Sequence, residues 1–173
     1  LGGPQAGIIA GKKEFVERIR RNPLFRALRV DKLTIAALEA TLRAYMRGAL
    51  DEIPALRMIR ATSEELARRA EKFTEQIRAA LPKDATIEVR EGNSVIGGGS
   101  TPDQQLPARV ISIASRWLSA AAIEERLRRP ASGAPVIARI EDDRLLLDLR
   151  TVFPEEEPAL ASAVVTALAS QNS

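Results

Sequence analysis

The hydrophobic period of this sequence changes part-way along the chain, near Pro82. Before that point, apolar residues recur every three or four positions, which is the period of an amphipathic helix. After it, they alternate in short runs, which is the period of a half-buried strand. Helices and strands that occur in separate blocks are typical of α+β proteins. We therefore predict an α+β fold, with a mixed or antiparallel sheet that carries helices on one face.

Local signals divide the helical part into segments. Asp31 is a good N-cap and Gly48 a good C-terminal residue for the helix between them, and Thr62 with Glu65 forms a capping-box pattern. An apolar run between Gly7 and Gly11 predicts a buried strand. The predicted elements are a strand at 7–11, helices at 12–21, 32–48, 52–59 and 62–81, and a basic connector at 24–30.

The alternating part predicts a sheet with two further helices. Its elements are a strand at 86–90, a loop rich in glycine, serine and proline at 92–107, a strand at 109–113, a helix at 118–129, a hairpin of 135–140 with 145–149, and a helix at 158–169. No internal repeat is present. The 173 residues suit one domain, or a small domain with a piece of another.

The chain contains neither cysteine nor histidine. The missing cysteine excludes disulfides, a thiol nucleophile and cysteine-type metal sites, and the missing histidine removes the commonest metal ligand and general base. Any chemistry here must use arginine, lysine, carboxylates, hydroxyls or a bound cofactor. We therefore expect no metal site. The net charge of +3 permits contact with RNA or phosphate without requiring it.

The two ends of the sequence carry no targeting signal that we recognise. No apolar run approaches the ~20 residues of a membrane span, and no signal peptide opens the chain. The chain begins Leu1-Gly2-Gly3-Pro4 without an initiator methionine. We expect it to be a fragment, or the ordered part, of a longer protein.

Several blocks, in order along the chain, resemble the seryl-tRNA selenium transferases of bacteria. The first and most specific run from Leu1 to Ile9 and from Asn22 to Thr34. Further matches are 38–42, 96–100 before Leu106-Pro107, 135–140 and 147–150. The resemblance covers nearly the whole chain.

This resemblance implies the fold type I of pyridoxal-phosphate enzymes. Residues 1–31 would end the large cofactor-binding domain, 32–48 would form the interdomain helix, and 49–173 the small C-terminal domain. The family's Schiff-base lysine would lie just upstream of Leu1, so the chain holds no catalytic residue. We expect this fragment to be inactive alone.

The resemblance also implies a reaction, a cofactor and partners. The intact enzyme would use pyridoxal 5'-phosphate to convert seryl-tRNA(Sec) to selenocysteinyl-tRNA(Sec), through a dehydroalanyl intermediate, with selenophosphate as selenium donor. The cofactor would supply the electron sink. We further expect a cytoplasmic homo-oligomer built from dimers, with no membrane contact.

Arg26 and Arg29 are the candidate selenophosphate-binding residues. Residues three apart on one helical turn can converge, and two guanidinium groups suit a tetrahedral oxyanion. Spacing alone favours a solvated basic turn; the resemblance, in which matching arginines bind the phosphate part of selenophosphate, favours the site.

Gly2, Gly3 and Gln5 are predicted to lie near the cofactor, since glycines allow close backbone approach. A plain turn explains them equally well. Arg139, within an apolar strand, is a candidate substrate contact, although a solvent-facing strand residue is the simpler interpretation.

The remaining features favour structural explanations. The run Gly97–Ser100 lacks the helix that follows a phosphate loop, so a flexible loop is predicted. We interpret Trp117 as core or interface. The arginines that could contact tRNA are interpreted as solvated helix faces; they are Arg68, Arg69, Arg126, Arg128 and Arg129.

Two alternatives remain open at the level of sequence. One is a related pyridoxal-phosphate lyase or transferase that acts on a free amino acid, which would have no evident need for Arg26 and Arg29. The other is a non-enzymatic α+β binding module, which should be a well-folded monomer from Leu1 onward.

Overall fold

The structure is a computed structural model that describes residues 1–96 and 105–169. It divides into two compact units, Leu1–Met58 and Ile59–Ser173. The described residues form seven α-helices and four strands: α1 (Lys13–Arg21), α2 (Leu24–Leu28), α3 (Lys32–Arg47), α4 (Pro54–Arg60), α5 (Ser63–Arg78), β1 (Ala85–Val95), β2 (Gln105–Ser115), α6 (Ala120–Arg128), β3 (Arg139–Glu141), β4 (Arg144–Asp148) and α7 (Glu157–Leu168).

The first unit is helical, and its longest element is α3. The Asp31 side chain accepts a hydrogen bond from the Thr34 N–H, and Gly48 ends the helix with a φ of +71°. Both predicted ends of this helix are therefore confirmed. The left-handed conformation at the C-terminal end favours glycine because it has no Cβ.

Two predictions for the first unit are wrong. Residues 7–11 form no strand, and Ile8 and Ile9 are 57% and 66% exposed. A strand needs backbone partners, and the described residues of this unit contain no other strand to supply them. The connector predicted at 24–30 contains the helix α2, which opens with the Asn22 side chain accepting from the Leu24 N–H.

The second unit contains one antiparallel sheet in the order β1-β2-β4-β3. The strands β1 and β2 pair over all eleven residues of each, so much of the loop predicted at 92–107 is strand. The run Gly97–Ser100 lies outside the described residues. The hairpin of β3 with β4 is confirmed, and its turn residues Asp142 and Asp143 have positive φ values of 51° and 54°, as in a type I′ turn.

Helices cover one face of this sheet. The helices α5 and α6 each pack on the sheet and both contact α7, so all three lie on the same side. The stripe predicted on α5 is buried in the core and meets side chains of the central strands; its members are Leu66, Ala70, Phe73 and Ile77. The α+β prediction, with helices on one face, is confirmed.

The far end of the β1–β2 hairpin bends over the opposite face. Ser94 pairs in register with Leu106, yet its hydroxyl donates to Asp148 on β4 at 2.5 Å. The bend brings Gly92 close to Val110, whose Cγ2 would lie 3.1 Å from a Cβ at that glycine. Val110 is thereby buried although it lies away from the helices. The bend explains why both faces of β2 are buried.

Candidate functional site

Arg26 and Arg29 do not share a helical turn. Arg26 lies in α2, whereas Arg29 follows the end of that helix with extended backbone angles (φ −68°, ψ 125°). Both side chains are exposed, and neither makes a hydrogen bond or ion pair with the described part of the chain. Their guanidinium groups therefore remain available to an external anion. The argument from shared helical spacing does not hold, and the site itself stays a prediction.

The two arginines lie in the most basic stretch of the sequence. Residues 12–32 contain eight cationic and three anionic side chains, whereas the whole chain has a net charge of only +3. The anions are partly engaged, since Glu17 lies 3.8 Å from Lys13 and 4.0 Å from Arg21 across exposed pairs. Such pairs contribute little to stability. The excess positive charge of this stretch favours anion binding.

Gly2 and Gly3 pack closely against other residues of the first unit. Gly2 has a φ of +75°, and a Cβ there would lie 2.8 Å from Ile53 Cγ2; a Cβ at Gly3 would collide with the Thr41 side chain. The Tyr45 hydroxyl donates to the Leu1 carbonyl at 3.1 Å. These contacts explain both glycines structurally. Gln5 is exposed, and its role stays a prediction.

A groove of about 910 Å³ runs beside this N-terminal segment within the first unit. Its lining is largely apolar and includes Leu42 and Met46 of α3, which are 41% and 86% exposed. Apolar surface of this kind marks a place where other polypeptide or a ligand packs.

Arg139 lies on the edge strand β3, with its side chain 42% exposed. Its guanidinium donates to the Asn93 carbonyl at 3.2 Å and lies 3.9 Å from the Glu141 carboxylate. Both contacts leave donors accessible. The structure therefore places Arg139 on the outer face of the sheet, apart from Arg26 and Arg29 in sequence unit, and its role as a substrate contact stays a prediction.

The sequence reasoning missed a buried arginine. Arg150 is 6% exposed and donates to the carbonyls of Ala61 and Pro107 at 2.8 and 2.7 Å and to the Ser94 hydroxyl at 2.8 Å. Asp148 accepts from both Ser94 and the Arg150 N–H. The available signal was the alternation of charged residues with leucines at 147–150, because charges rarely enter an apolar run unless they are paired.

Two structural interpretations from the sequence need correction. Arg69 is not solvated: it donates to the Val152 carbonyl and pairs with Glu157 at 2.7 Å, with its side chain 18% exposed. Arg126 also binds backbone, at the carbonyls of Ala167 and Ala169. Trp117 is 81% exposed, so it is not a core residue. Its bulk exceeds what the short loop between β2 and α6 can cover.

The decisive comparison concerns nearly the whole chain. The family model of L-seryl-tRNA selenium transferase matches residues 1–153. The chain belongs to the L-seryl-tRNA selenium transferase family. Every candidate residue considered above lies within this match, whereas α7 lies beyond it.

Curated relatives of the family agree with the match. The chain is 45% identical over 166 residues to the L-seryl-tRNA(Sec) selenium transferase of Geobacter sulfurreducens, covering 95% of the chain. It is 44% identical over 170 residues to that of Nitratidesulfovibrio vulgaris, and 46% over 158 residues to that of Carboxydothermus hydrogenoformans. The chain spans only 36% of the length of the first two relatives, in their C-terminal portion.

Two further site classes were searched in the described residues of this family member. They contain no group of three or more acidic side chains placed to hold a metal ion. No helix among them is both long and apolar enough to cross a membrane.

Proposed function

We propose that the protein to which this chain belongs converts seryl-tRNA(Sec) to selenocysteinyl-tRNA(Sec). Selenophosphate would donate selenium in place of the seryl hydroxyl, and inorganic phosphate would be released. The single observation that carries the proposal is the family match over residues 1–153, together with relatives named as L-seryl-tRNA(Sec) selenium transferases. The function belongs to the longer protein, which would be a cytoplasmic homo-oligomer built from dimers.

Arg26 and Arg29 would bind the phosphate group of selenophosphate. What supports this role is that both guanidinium groups are exposed and lack partners in the described residues, within a stretch of eight cations and three anions. A guanidinium offers paired N–H donors to phosphate oxygens and keeps its charge at any physiological pH. Arg139 would contact the aminoacyl end of the substrate from the small domain.

Pyridoxal 5'-phosphate would act as the cofactor of the longer protein, as an electron sink for bond cleavage at the seryl Cα and Cβ. The segment Gly2–Gln5 carries no charged side chain. Ile53 and Thr41 occupy the space beside its two glycines. These four residues therefore do not by themselves form a phosphate site, and in our proposal other parts of the protein hold the cofactor.

The first test is the visible absorbance of the longer protein before and after borohydride. A cofactor band that borohydride fixes to a lysine supports the proposal. A protein that shows no band at any pyridoxal-phosphate concentration contradicts it.

The second test concerns selenophosphate. We expect Arg26→Ala and Arg29→Ala each to raise the KM for selenophosphate by about tenfold or more, because each removes about 1.5–3 kcal/mol of charge-assisted hydrogen bonding. Arg26→Lys and Arg29→Lys keep the charge but lose the paired donors, and should fall between the two. An unchanged KM in both alanine variants would exclude this assignment while leaving the cofactor result intact.

A further inference from the structure

The outer strand β1 leaves one long edge of the sheet without a neighbouring strand among the described residues. The strand order places β1 at one end of the sheet and β3 at the other. The strand β1 has eleven residues, whereas β3 has three. A long edge presents a row of backbone N–H and C=O groups to any strand that approaches it.

The usual devices that block such an edge are missing from β1. Its sequence contains no proline and no lysine. Its pairing with β2 continues from Ala85 to Val95 without a bulge. The opposite edge is protected by its shortness alone. The structure therefore offers one extended edge that can add a strand by backbone hydrogen bonding.

The charges along β1 match those of a second antiparallel copy in one register. If the two-fold axis passes at Val89, Glu88 of each copy lies directly opposite Arg90 of the other. If the axis passes at Glu88 or Arg90 instead, each of these charges meets its own copy. Opposite charges across a strand pair stabilise it, and like charges destabilise it.

Both charged side chains are placed for such a contact. Glu88 and Arg90 are about half exposed, at 52% and 49% of their side-chain surface, and lie on the same face of the strand. Arg144 on β4 already donates to Glu88 at 2.7 Å. A second copy would extend this pair into a network of alternating charges across both sheets.

We propose that β1 pairs antiparallel with β1 of a second copy about a two-fold axis at Val89. The two four-stranded sheets would then form one continuous sheet across the dimer. A closed two-fold interface of this kind is self-complementary and uses the same surface on both subunits. The inference does not rest on selenium transfer, and its failure would leave that proposal untouched.

The test uses charge reversal and mixing, read by analytical ultracentrifugation of the full chain. Glu88→Arg alone and Arg90→Glu alone each make both cross-strand pairs repulsive, so each should raise the dimer dissociation constant by about tenfold or more. An equimolar mixture of the two variants restores both attractive pairs and should form a heterodimer. Glu141→Arg, on the opposite edge strand, is the matched control and should leave the constant unchanged.

A cysteine experiment gives a second, independent measurement. The chain has no native cysteine, so a single substitution places the only thiol. Val89→Cys lies on the proposed axis and should form a disulfide-linked dimer on mild oxidation. Thr86→Cys, exposed on the same strand, lies far from its own copy in this register and should not. A monomer at all concentrations, a dimer indifferent to both reversals, or equal cross-linking of both cysteine variants would each overturn the proposal.

Discussion

Arg150 joins three separate stretches of the chain through one guanidinium group that water barely reaches. Its donors bind the Ala61 carbonyl before α5, the Pro107 carbonyl on β2 and the Ser94 hydroxyl on β1. A buried charge is tolerated because these acceptors, with the neighbouring Asp148, replace its hydration. At the scale of single residues, this contact holds the bent hairpin against the end of β4.

We expect Arg150→Met to lower the free energy of unfolding by about 3–5 kcal/mol, because it leaves buried acceptors without donors. Urea denaturation measures this directly. Arg109→Met is the matched control: that arginine pairs with exposed Glu91 at 2.9 Å, and its loss should cost about 0–1 kcal/mol. Equal effects of the two substitutions would contradict the structural role of Arg150.

The N-cap of α3 should respond to acid. The hydrogen bond from the Thr34 N–H lowers the pKa of Asp31 below its ordinary value of 3.8. A lowered folded-state pKa gives stabilisation that is present above the ordinary value and is lost as the pH falls through the folded-state value. We therefore expect the Thr34 amide signal to shift at a pH below 3.8, followed by NMR titration.

Asp31→Asn provides the control for this titration, because asparagine also caps helices but does not ionise in this range. The Thr34 amide should then keep its position through the acid range. The same acid shift in that variant would show that another group is responsible.

At the scale of elements, α5 combines a well-packed stripe with one poorly satisfied position. Phe73 is fully buried, and next to it Thr74 is 3% exposed with a hydroxyl that has no hydrogen-bond partner among the described residues. Burial of an unpaired hydroxyl is unfavourable. The helix therefore holds a position where a change of chemistry at constant shape should stabilise the protein.

We expect Thr74→Val to raise the free energy of unfolding by about 1 kcal/mol, since it replaces the unpaired hydroxyl with a methyl group of similar size. Thr74→Ser keeps the hydroxyl and removes the methyl group, and should lower stability by about 1 kcal/mol. Thermal denaturation of the two variants separates the effects. A destabilising valine would indicate that a water molecule or an unobserved partner satisfies the hydroxyl.

At the scale of the whole molecule, the two units differ in how much core they contain. The hydrophobic cluster lies entirely between Leu66 and Leu168, whereas the buried apolar residues described in the first unit are Ala44 and Ile53. Burial of apolar surface is the main favourable term in folding. The second unit has the material for an independent core, and the first unit does not.

We therefore expect residues 59–173, produced alone, to unfold cooperatively on heating, as judged by circular dichroism. Residues 1–58 alone should lack a cooperative transition. A Phe73→Ala change should abolish or strongly weaken the transition of the longer piece, because loss of a buried phenylalanine costs about 3–5 kcal/mol. A non-cooperative transition for residues 59–173 would show that their core depends on the first unit.

Local signals in the sequence were sufficient for most elements. Asp31, Gly48 and the stripe on α5 act within one helix, so neighbouring residues specify them. The apolar run at 7–11 failed because a strand depends on partners distant in sequence. The candidate arginines came from family resemblance, and the break in the backbone after Leu28 could not be read from their spacing.

The sequence by itself determined the α+β class, the helix ends and, through its motifs, the family. Only the tertiary structure decided that the β1–β2 hairpin bends over the outer face, that Arg150 is buried under it, and that Trp117 is exposed. The physical reason is the range of the interactions. Capping and periodicity act within a few residues, whereas burial depends on which distant segments meet, and local sequence carries little record of that.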